Sequence, residues 1–475
     1  MDQFHHIHFI GICGTGMASV AVALRQQGYV VAGSDDNIYP PMSTFLEGQG
    51  IQIMQGYKPE NLNPQPDLVV IGNAMMRGNP EVEAVLNCKL QYVSLPEVLK
   101  EFFIRGKYSI VVSGTHGKTT TTSLMAWVFE QAGLEPGFLI GGIPENFGTG
   151  CRAGGGKYFI TEGDEYDSAF FDKRSKFVHY LPDLAVINNI EFDHADIFPD
   201  LESIKMSFRR FINIIPGDGY LVAGGDDPNV KELLGKAFCK VETFGLNQGN
   251  IWTASDIQYK PEGTQFRAFR EGKSVGEFFL PLLGSHNVKN ALAVIASATL
   301  LGIPCEKIRA AFSTFKNIKR RLEIKGEVNG IVVIDDFAHH PTAVKVTLEA
   351  IRIRYPGRNI WALFEPRTNT TTRNIFQNEL ARSFDAADHI VIGAVNRPER
   401  FKPEERLSPE KLAADLKAQG KDAYSIPNVD EMVQMLVDKL QPGDVVVVMS
   451  NGKFGGAHEK LLAGLKTKYQ SSDGL

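Results

Sequence analysis

An α/β protein of three domains is what this 475-residue chain predicts, and three features of the sequence predict it. Short β-branched runs alternate with helix-length segments, glycine turns follow two of those runs, and a new series of runs starts after a charged stretch near residue 322. The runs begin at His8, Val30, Leu68, Ile110, Leu184, Ile331, Ile390 and Val445. Such runs, each followed by turn residues and a helical pattern, read as parallel strands covered on both faces. The expected domains are residues 1–107, Rossmann-like; 108–322, a central P-loop ATPase domain with a mostly parallel sheet; and 323–475, Rossmann-like again. Between Ile251 and Leu283 short alternating segments separated by glycines predict an antiparallel excursion within the middle domain. The polar tail from Ser471 is expected to fray.

Composition narrows the classes. Hydrophobic residues make up 43% of the chain, enough to build sizeable cores without covalent cross-links. A formal net charge of -5, with acids and bases interspersed, argues against nucleic acid as a partner. Residues 1–10 lack a basic segment leading into a long apolar run, and no apolar stretch reaches about 18 residues, so neither a signal peptide nor membrane insertion is expected. Cys13, Cys88, Cys151, Cys239 and Cys305 are scattered without Cys-x-x-Cys spacing and read as reduced thiols, not zinc ligands. The expectation is a cytoplasmic enzyme, a monomer or weak homodimer.

The run at Ile110 leads into Gly114-Thr115-His116-Gly117-Lys118-Thr119-Thr120-Thr121, with a helix predicted from Thr120 to Gln131. Glycines let backbone N–H groups approach phosphate oxygens, and the helix start adds positive partial charge. Lys118 is placed to reach β- and γ-phosphates, and the Thr119 hydroxyl to ligate magnesium. Val112 stands where the full phosphate-loop pattern has its first glycine. The bland alternative, a glycine turn with a surface lysine, fits the strand–loop–helix setting less well. ATP with Mg2+ is the expected ligand.

Gly11-Ile12-Cys13-Gly14-Thr15-Gly16 follows the run at His8 as a dinucleotide-type turn does, with Asp35 where a ribose-binding acid belongs. Cys13 replaces the glycine that permits closest approach to a pyrophosphate. A structural turn, a nicotinamide site and a site for a diphosphate-bearing nucleotide all remain open here. The last best accommodates a second phosphate loop in one chain.

Glu162, Asp164, Glu165 and Asp167 form one acidic stretch, and Asp193, His194 and Asp196 another, each after an apolar run. That order places them at the carboxyl ends of strands beside the phosphate loop, where they can hold magnesium against phosphate. Taken alone, such acids are more often solvated loop residues.

Read in order, the glycine turn, the phosphate loop, the two acidic stretches, Gly284-Ser285-His286-Asn287 with Asn290, Arg320-Arg321 and Asp335-Asp336-Phe337-Ala338-His339-His340 make the chain resemble the Mur ligase family over essentially its whole length. These are ATP-driven enzymes of bacterial cell-wall precursor synthesis. Tyr39-Pro40-Pro41-Met42-Ser43, Ile71-Gly72-Asn73-Ala74-Met75 and Phe364-Glu365-Pro366-Arg367-Thr368-Asn369 resemble one branch in particular. That branch joins the tripeptide L-alanyl-γ-D-glutamyl-meso-diaminopimelate to UDP-N-acetylmuramate in murein recycling. The alternative is the branch that adds L-alanine, which usually carries Tyr where Phe337 stands.

The resemblance implies catalytic roles for Lys118, Glu162, His194 and Arg321. It implies that Gly114, Thr115, His116, Gly117, Lys118, Thr119, Thr120, His286, Asn287, Asn290, Arg321 and Asp336 hold the nucleotide. For the 286–290 segment the alternative is a helix start capped by Ser285. Magnesium would be held by Thr119, Glu162 and His194. Gly14, Thr15, Gly16, Asp35, Asn73 and Arg77 would bind the UDP-sugar, and Asp164 and Glu165 would also face substrate. Arg367, Asn369, Ser450 and Asn451 would receive the peptide, unless Arg367 is a surface cation. His339 and His340 are either loop residues or ligands. Several family members carry a carbamylated lysine; Phe208 stands at that position here, with Lys205 one helical turn away, so no carbamate is expected.

Overall fold

Every β-branched run read from the sequence forms a strand with a parallel neighbour. The computed structural model describes residues 4–39 and 42–470. Pro40 and Pro41 of the Tyr39–Ser43 stretch, and the tail from Ser471, lie outside the described residues.

Three large sheets follow one another along the chain, and a two-stranded one pairs Asp167–Ala169 with Asp172–Ser175. The first has the spatial order Gln52–Gln55, Val30–Asp35, His6–Ile10, Leu68–Ile71, Tyr92–Ser94, all parallel. Chain direction reverses across it beside His6–Ile10, which opens a crevice at the carboxyl ends of that strand and Leu68–Ile71. The central sheet has ten strands, with Tyr108–Ser113 between Leu184–Ile187 and Tyr158–Gly163. Its far edge is the antiparallel excursion, built from Trp252–Lys260, Gly263–Arg270 and Lys273–Leu280. The third sheet runs Glu323–Val328, Ile331–Asp336, Val445–Met449, Ile360–Phe364, His389–Ile392, Asp422–Ser425, parallel except at its first strand.

Two-residue periodicity explains why these strands are apolar throughout. Ile110 and Val112 enter one core and Val111 the opposite one; Val332 and Ile334 divide from Ile331 and Val333 in the same way. Helix Lys118–Gln131 covers one central face with Leu124, Val128 and Phe129, beside helix Ser285–Leu300. Helix Leu201–Asn213 covers the other face with Ile204, Phe208 and Phe211. Phe208 is fully buried against Phe177, and Lys205 is tied to Glu202 and Glu232. Among the described residues no helix is long and apolar enough to cross a membrane.

Candidate active site

The phosphate loop turns sharply at two glycines. Gly114 has φ +131° and Gly117 φ +82°, and a Cβ at 117 would meet Asn290 Oδ1 at 2.6 Å and Asn188 Nδ2 at 2.9 Å. Only glycine fits there, because two asparagines press the loop from outside. The 188–191 segment clamps it further: Thr115 N–H donates to Asn189 O, and His116 N–H to Asn189 Oδ1 at 2.8 Å. The helix begins at Lys118, two residues before the predicted start, so its first N–H groups lack intrahelical acceptors and remain for an anion.

Lys118 already has company. Its Nζ donates to Gly114 O at 2.7 Å and to Glu165 Oε2 at 3.0 Å, with Asp164 at 4.0 Å. Glu165 is 2% exposed and also meets His194 Nε2 at 3.3 Å. Burial disfavours its charge, but Lys118 and His194 hold the carboxyl down at about 2. The same partnership raises His194 and Lys118 despite their burial. Glu162 differs. Burial first, then the charge of Asp164, pushes it up to about 7, while it accepts from Gly141 N–H at 2.6 Å and from the Thr119 hydroxyl at 3.0 Å. Two carboxyls three residues apart thus carry opposite shifts, as their different partners dictate.

The third sheet meets this site through polar groups. Glu191 Oε2 binds His116 Nε2 at 3.0 Å and accepts from Thr342 Oγ1 at 2.7 Å; burial opposes its charge, but these bonds hold it at about 2. His116, Glu191 and His340 bring one ligand-type atom each within 4.8 Å of one another. Burial pushes His340 down to about 4, and the neutral ring caps helix Pro341–Arg354 by accepting from Thr342 N–H. Thr370 Oγ1 donates to Asp193 at 2.8 Å, and Asn369 Nδ2 to Asp196 at 2.7 Å. Arg321 lies over the Phe337 ring at 5.3 Å and beside Asp336.

Several expected ligand residues have structural occupations. Asp336 is 3% exposed and accepts from Leu322 N–H, Ala338 N–H and the Thr347 hydroxyl, so it pins the hinge. Asp35 is drawn into the first turn, accepting from Cys13 N–H at 2.9 Å and Asn37 N–H. Gly14, Thr15 and Gly16 stay accessible at the start of helix Thr15–Gln26. Arg77 is exposed and forks onto Glu83. Ser285 is the first helical residue and makes no cap; Gly284, at φ +97°, precedes it. Asn290 lies on the loop at Gly117, Asn287 Nδ2 binds Leu283 O, and burial lowers His286 to about 4.

A cleft of about 1410 Å³ opens between the three sheets, lined by Asn73 from the first, Glu165 from the second, and Asn369, Arg397 and Arg400 from the third. Arg367 and Ser450 do not line it: Arg367 packs on Gly452 beside Glu365, and Ser450 is buried and bonded to Glu365. Asn451 is not among its lining residues either, and its Oδ1 is buried without a partner. Glu191, Thr342 and Thr370 were given no role of their own in the sequence reading. Their only signal was position, within the stretches that carry the family resemblance.

Three family models match the chain in succession. Residues 6–107 match the Mur ligase family catalytic domain, 112–298 the Mur ligase middle domain, and 320–452 the Mur ligase glutamate ligase domain. A UDP-N-acetylmuramate–L-alanyl-γ-D-glutamyl-meso-2,6-diaminoheptandioate ligase of Haemophilus influenzae is 47% identical, covering 98% of this chain and 100% of the relative. A UDP-N-acetylmuramate–L-alanine ligase of Acetivibrio thermocellus is 37% identical over 95% and 94%. The crystal structure of a murein peptide ligase from Psychrobacter arcticus superposes with a TM-score of 0.73 at 38% identity, covering 97% of this chain and 98% of its own.

Proposed function

The chain belongs to the Mur ligase family, and we propose that it joins L-alanyl-γ-D-glutamyl-meso-diaminopimelate to UDP-N-acetylmuramate at the expense of ATP. The muramate carboxylate displaces ADP from the γ-phosphoryl group, giving an acyl phosphate. The alanyl amine of the tripeptide then attacks that carbonyl, the amide bond forms, and inorganic phosphate leaves with the amine proton passing to solvent or base. The observation that carries the reading is the Lys118–Glu165–His194 cluster opening onto the three-walled cleft, in a chain 47% identical to a tripeptide ligase. Such chemistry asks for positioning and charge neutralisation more than for a protein nucleophile.

Residues 1–107 would bind the UDP-sugar at the Gly14–Gly16 turn and Asn73, 108–322 the ATP, and 323–475 the peptide. When ATP arrives, Lys118 exchanges part of its contact with Glu165 for phosphoryl oxygens. The Thr119 hydroxyl and Glu162 carboxylate, 3.0 Å apart, are hard oxygen donors suited to magnesium, which would neutralise phosphate charge. His194 is a softer donor already engaged by Glu165, and it orients that carboxylate toward Lys118. ADP release is measured with UDP-N-acetylmuramate and either tripeptide or L-alanine. Preference for the tripeptide is expected; equal or better use of L-alanine would transfer the chain to the other branch.

A further inference from the structure

We propose that His116, Glu191 and His340 form a binding site for a borderline divalent cation of the Zn2+ class, which on binding staples the third domain to the phosphate loop. The site is separate from the magnesium donors Thr119 and Glu162, and it does not depend on which peptide the enzyme ligates. Three observations carry it.

First, the donors converge. One ligand-type atom from each residue lies within 4.8 Å of the other two, and this is the one such group among the described residues. His116 Nε2 stands 3.0 Å from Glu191 Oε2, and His340 Nδ1 stands 3.5 Å from the same residue's Oε2. A tetrahedral ion with bonds of about 2.1 Å sets its ligands about 3.4 Å apart, so two of the three edges are already near that spacing. Second, the protons are placed for a metal. His340 Nε2 lies 3.2 Å from Phe192 O, a carbonyl that can only accept, so the single proton of this buried, neutral ring sits on Nε2. Nδ1 therefore turns a bare lone pair toward a carboxylate oxygen, one acceptor against another. Among the described residues Nδ1 receives only a long bond, from Thr342 N–H at 3.3 Å. A cation between the two acceptors converts their repulsion into two bonds. A histidine whose outer N–H is fixed by a carbonyl is the usual support of a metal-binding ring. Glu191 is braced as well: the Thr342 hydroxyl donates to its Oε2 at 2.7 Å, and its own N–H donates to Thr115 Oγ1 at 2.8 Å. Third, the donor set selects the ion. Two imidazoles and one carboxylate, with a fourth position left for water, suit Zn2+, whereas Mg2+ prefers oxygen throughout. His116 frees its Nε2 for the ion by taking its other tautomer. Its partners come from the segment after strand Leu184–Ile187 and from the start of helix Pro341–Arg354, so a bound ion must be released before the third domain can swing away.

The test uses the full-length enzyme without nucleotide, with Zn2+ and Co2+ as probes in excess Mg2+. Two variants remove one ligand each: Glu191→Gln keeps an acceptor for the Thr342 hydroxyl, and His340→Asn keeps a helix cap, so both should fold. Each should weaken Zn2+ binding by about tenfold or more in calorimetric titration. Co2+ should give the intense visible bands of a four-coordinate ion in the wild type and lose them in both variants. The staple is read separately at Ala195, whose N–H is bonded across the same seam to Thr370 Oγ1 at 3.2 Å. Zn2+ should slow hydrogen exchange of that segment by about tenfold in the wild type and in neither variant. Zn2+ binding that persists undiminished in both variants, as a surface site at His5 and His6 would give, would overturn the site. So would absence of binding by the wild type, displacement by Mg2+, or a six-coordinate Co2+ spectrum. Binding at these residues with exchange at Ala195 unchanged would overturn the staple.

Discussion

The two seams of this molecule are built from opposite materials. Between the first and second sheets one apolar core runs through, from Ile7, Phe9 and Leu99 to Phe159, Phe177 and Phe211, with Phe103 and Phe159 rings 6.1 Å apart. Phe171 of the central domain adds an edge contact to Tyr92, and Lys107 Nζ ties the chain to Gly154 O at 2.7 Å. Between the second and third sheets the joints are mainly hydrogen bonds, Thr342 to Glu191, Thr370 to Asp193, Asn369 to Asp196 and His340 to Phe192 O, with Phe192 against Phe376 as an apolar contact. Opening an apolar seam exposes its whole surface to water, whereas polar partners exchange for water or ligand at small net cost. The first seam is therefore expected to set stability, and the second to be the one that ligands move.

The sharpest contrast is expected at Lys118. Lys118→Ala should lower turnover by about a thousandfold, or about 4 kcal/mol on a transition-state scale, because phosphoryl charge loses its flexible cation. It should also cost stability, since Glu165 is left buried with only His194 beside it. Adding Glu165→Gln in that background should restore the melting temperature and leave turnover lost. If turnover returned as well, the pair would be structural and the catalytic assignment would fail. At the apolar seam the pattern reverses. Phe103→Ala should cost about 3–4 kcal/mol in denaturant unfolding, with the first two domains melting as one unit. Two separated transitions would show that the shared core does not couple them.

Much of the fold and of the phosphate loop was readable in the sequence, and what was not has a physical reason. Runs such as Leu68-Val-Val-Ile71 announce themselves because parallel strands are buried on both faces. The phosphate loop is legible because its glycines answer a backbone requirement, visible at Gly117 where a side chain would strike two asparagines. Asp35 and Asp336 were harder. An acid at a strand end looks the same whether it waits for a ribose or, as here, accepts from the turn beside it. The second seam was largely hidden, since pairs such as Thr370 and Asp193 are 177 positions apart and neither is unusual alone. Arg367 and Arg400 likewise differ only in which way the loops turn.

A smaller effect concerns Glu162. Its carboxyl lies at about 7, so below that pH a proton occupies the oxygens that magnesium would need. The magnesium midpoint for activity should therefore fall as pH rises from about 6 to about 8, by up to about tenfold per unit below the pKa, and level off above it. Glu162→Gln, which has no such proton, should raise the midpoint and flatten the profile. A wild-type midpoint independent of pH would remove Glu162 from the metal's surroundings.

The smallest expected change tests the polar seam itself. Thr370 is 1% exposed; its hydroxyl donates to Asp193 Oδ1 at 2.8 Å and accepts from Ala195 N–H at 3.2 Å. Thr370→Val keeps the shape and removes both bonds. Asp193 retains the His194 N–H at 2.8 Å, so no carboxylate is stranded, and the cost should be about 1 kcal/mol. In a two-state opening, that shifts the closed-to-open equilibrium constant by about fivefold, which is visible as a larger radius of gyration in solution scattering without ligands. Nucleotide and UDP-sugar together should restore most of the compaction, because their own contacts across the seam replace the lost pair. The main melting transition, set by the apolar seam, should stay within a few tenths of a kcal/mol. If Thr370→Val instead destabilised the fold as much as Phe103→Ala, the two seams would be equally structural, and ligand-driven closure would need a different hinge.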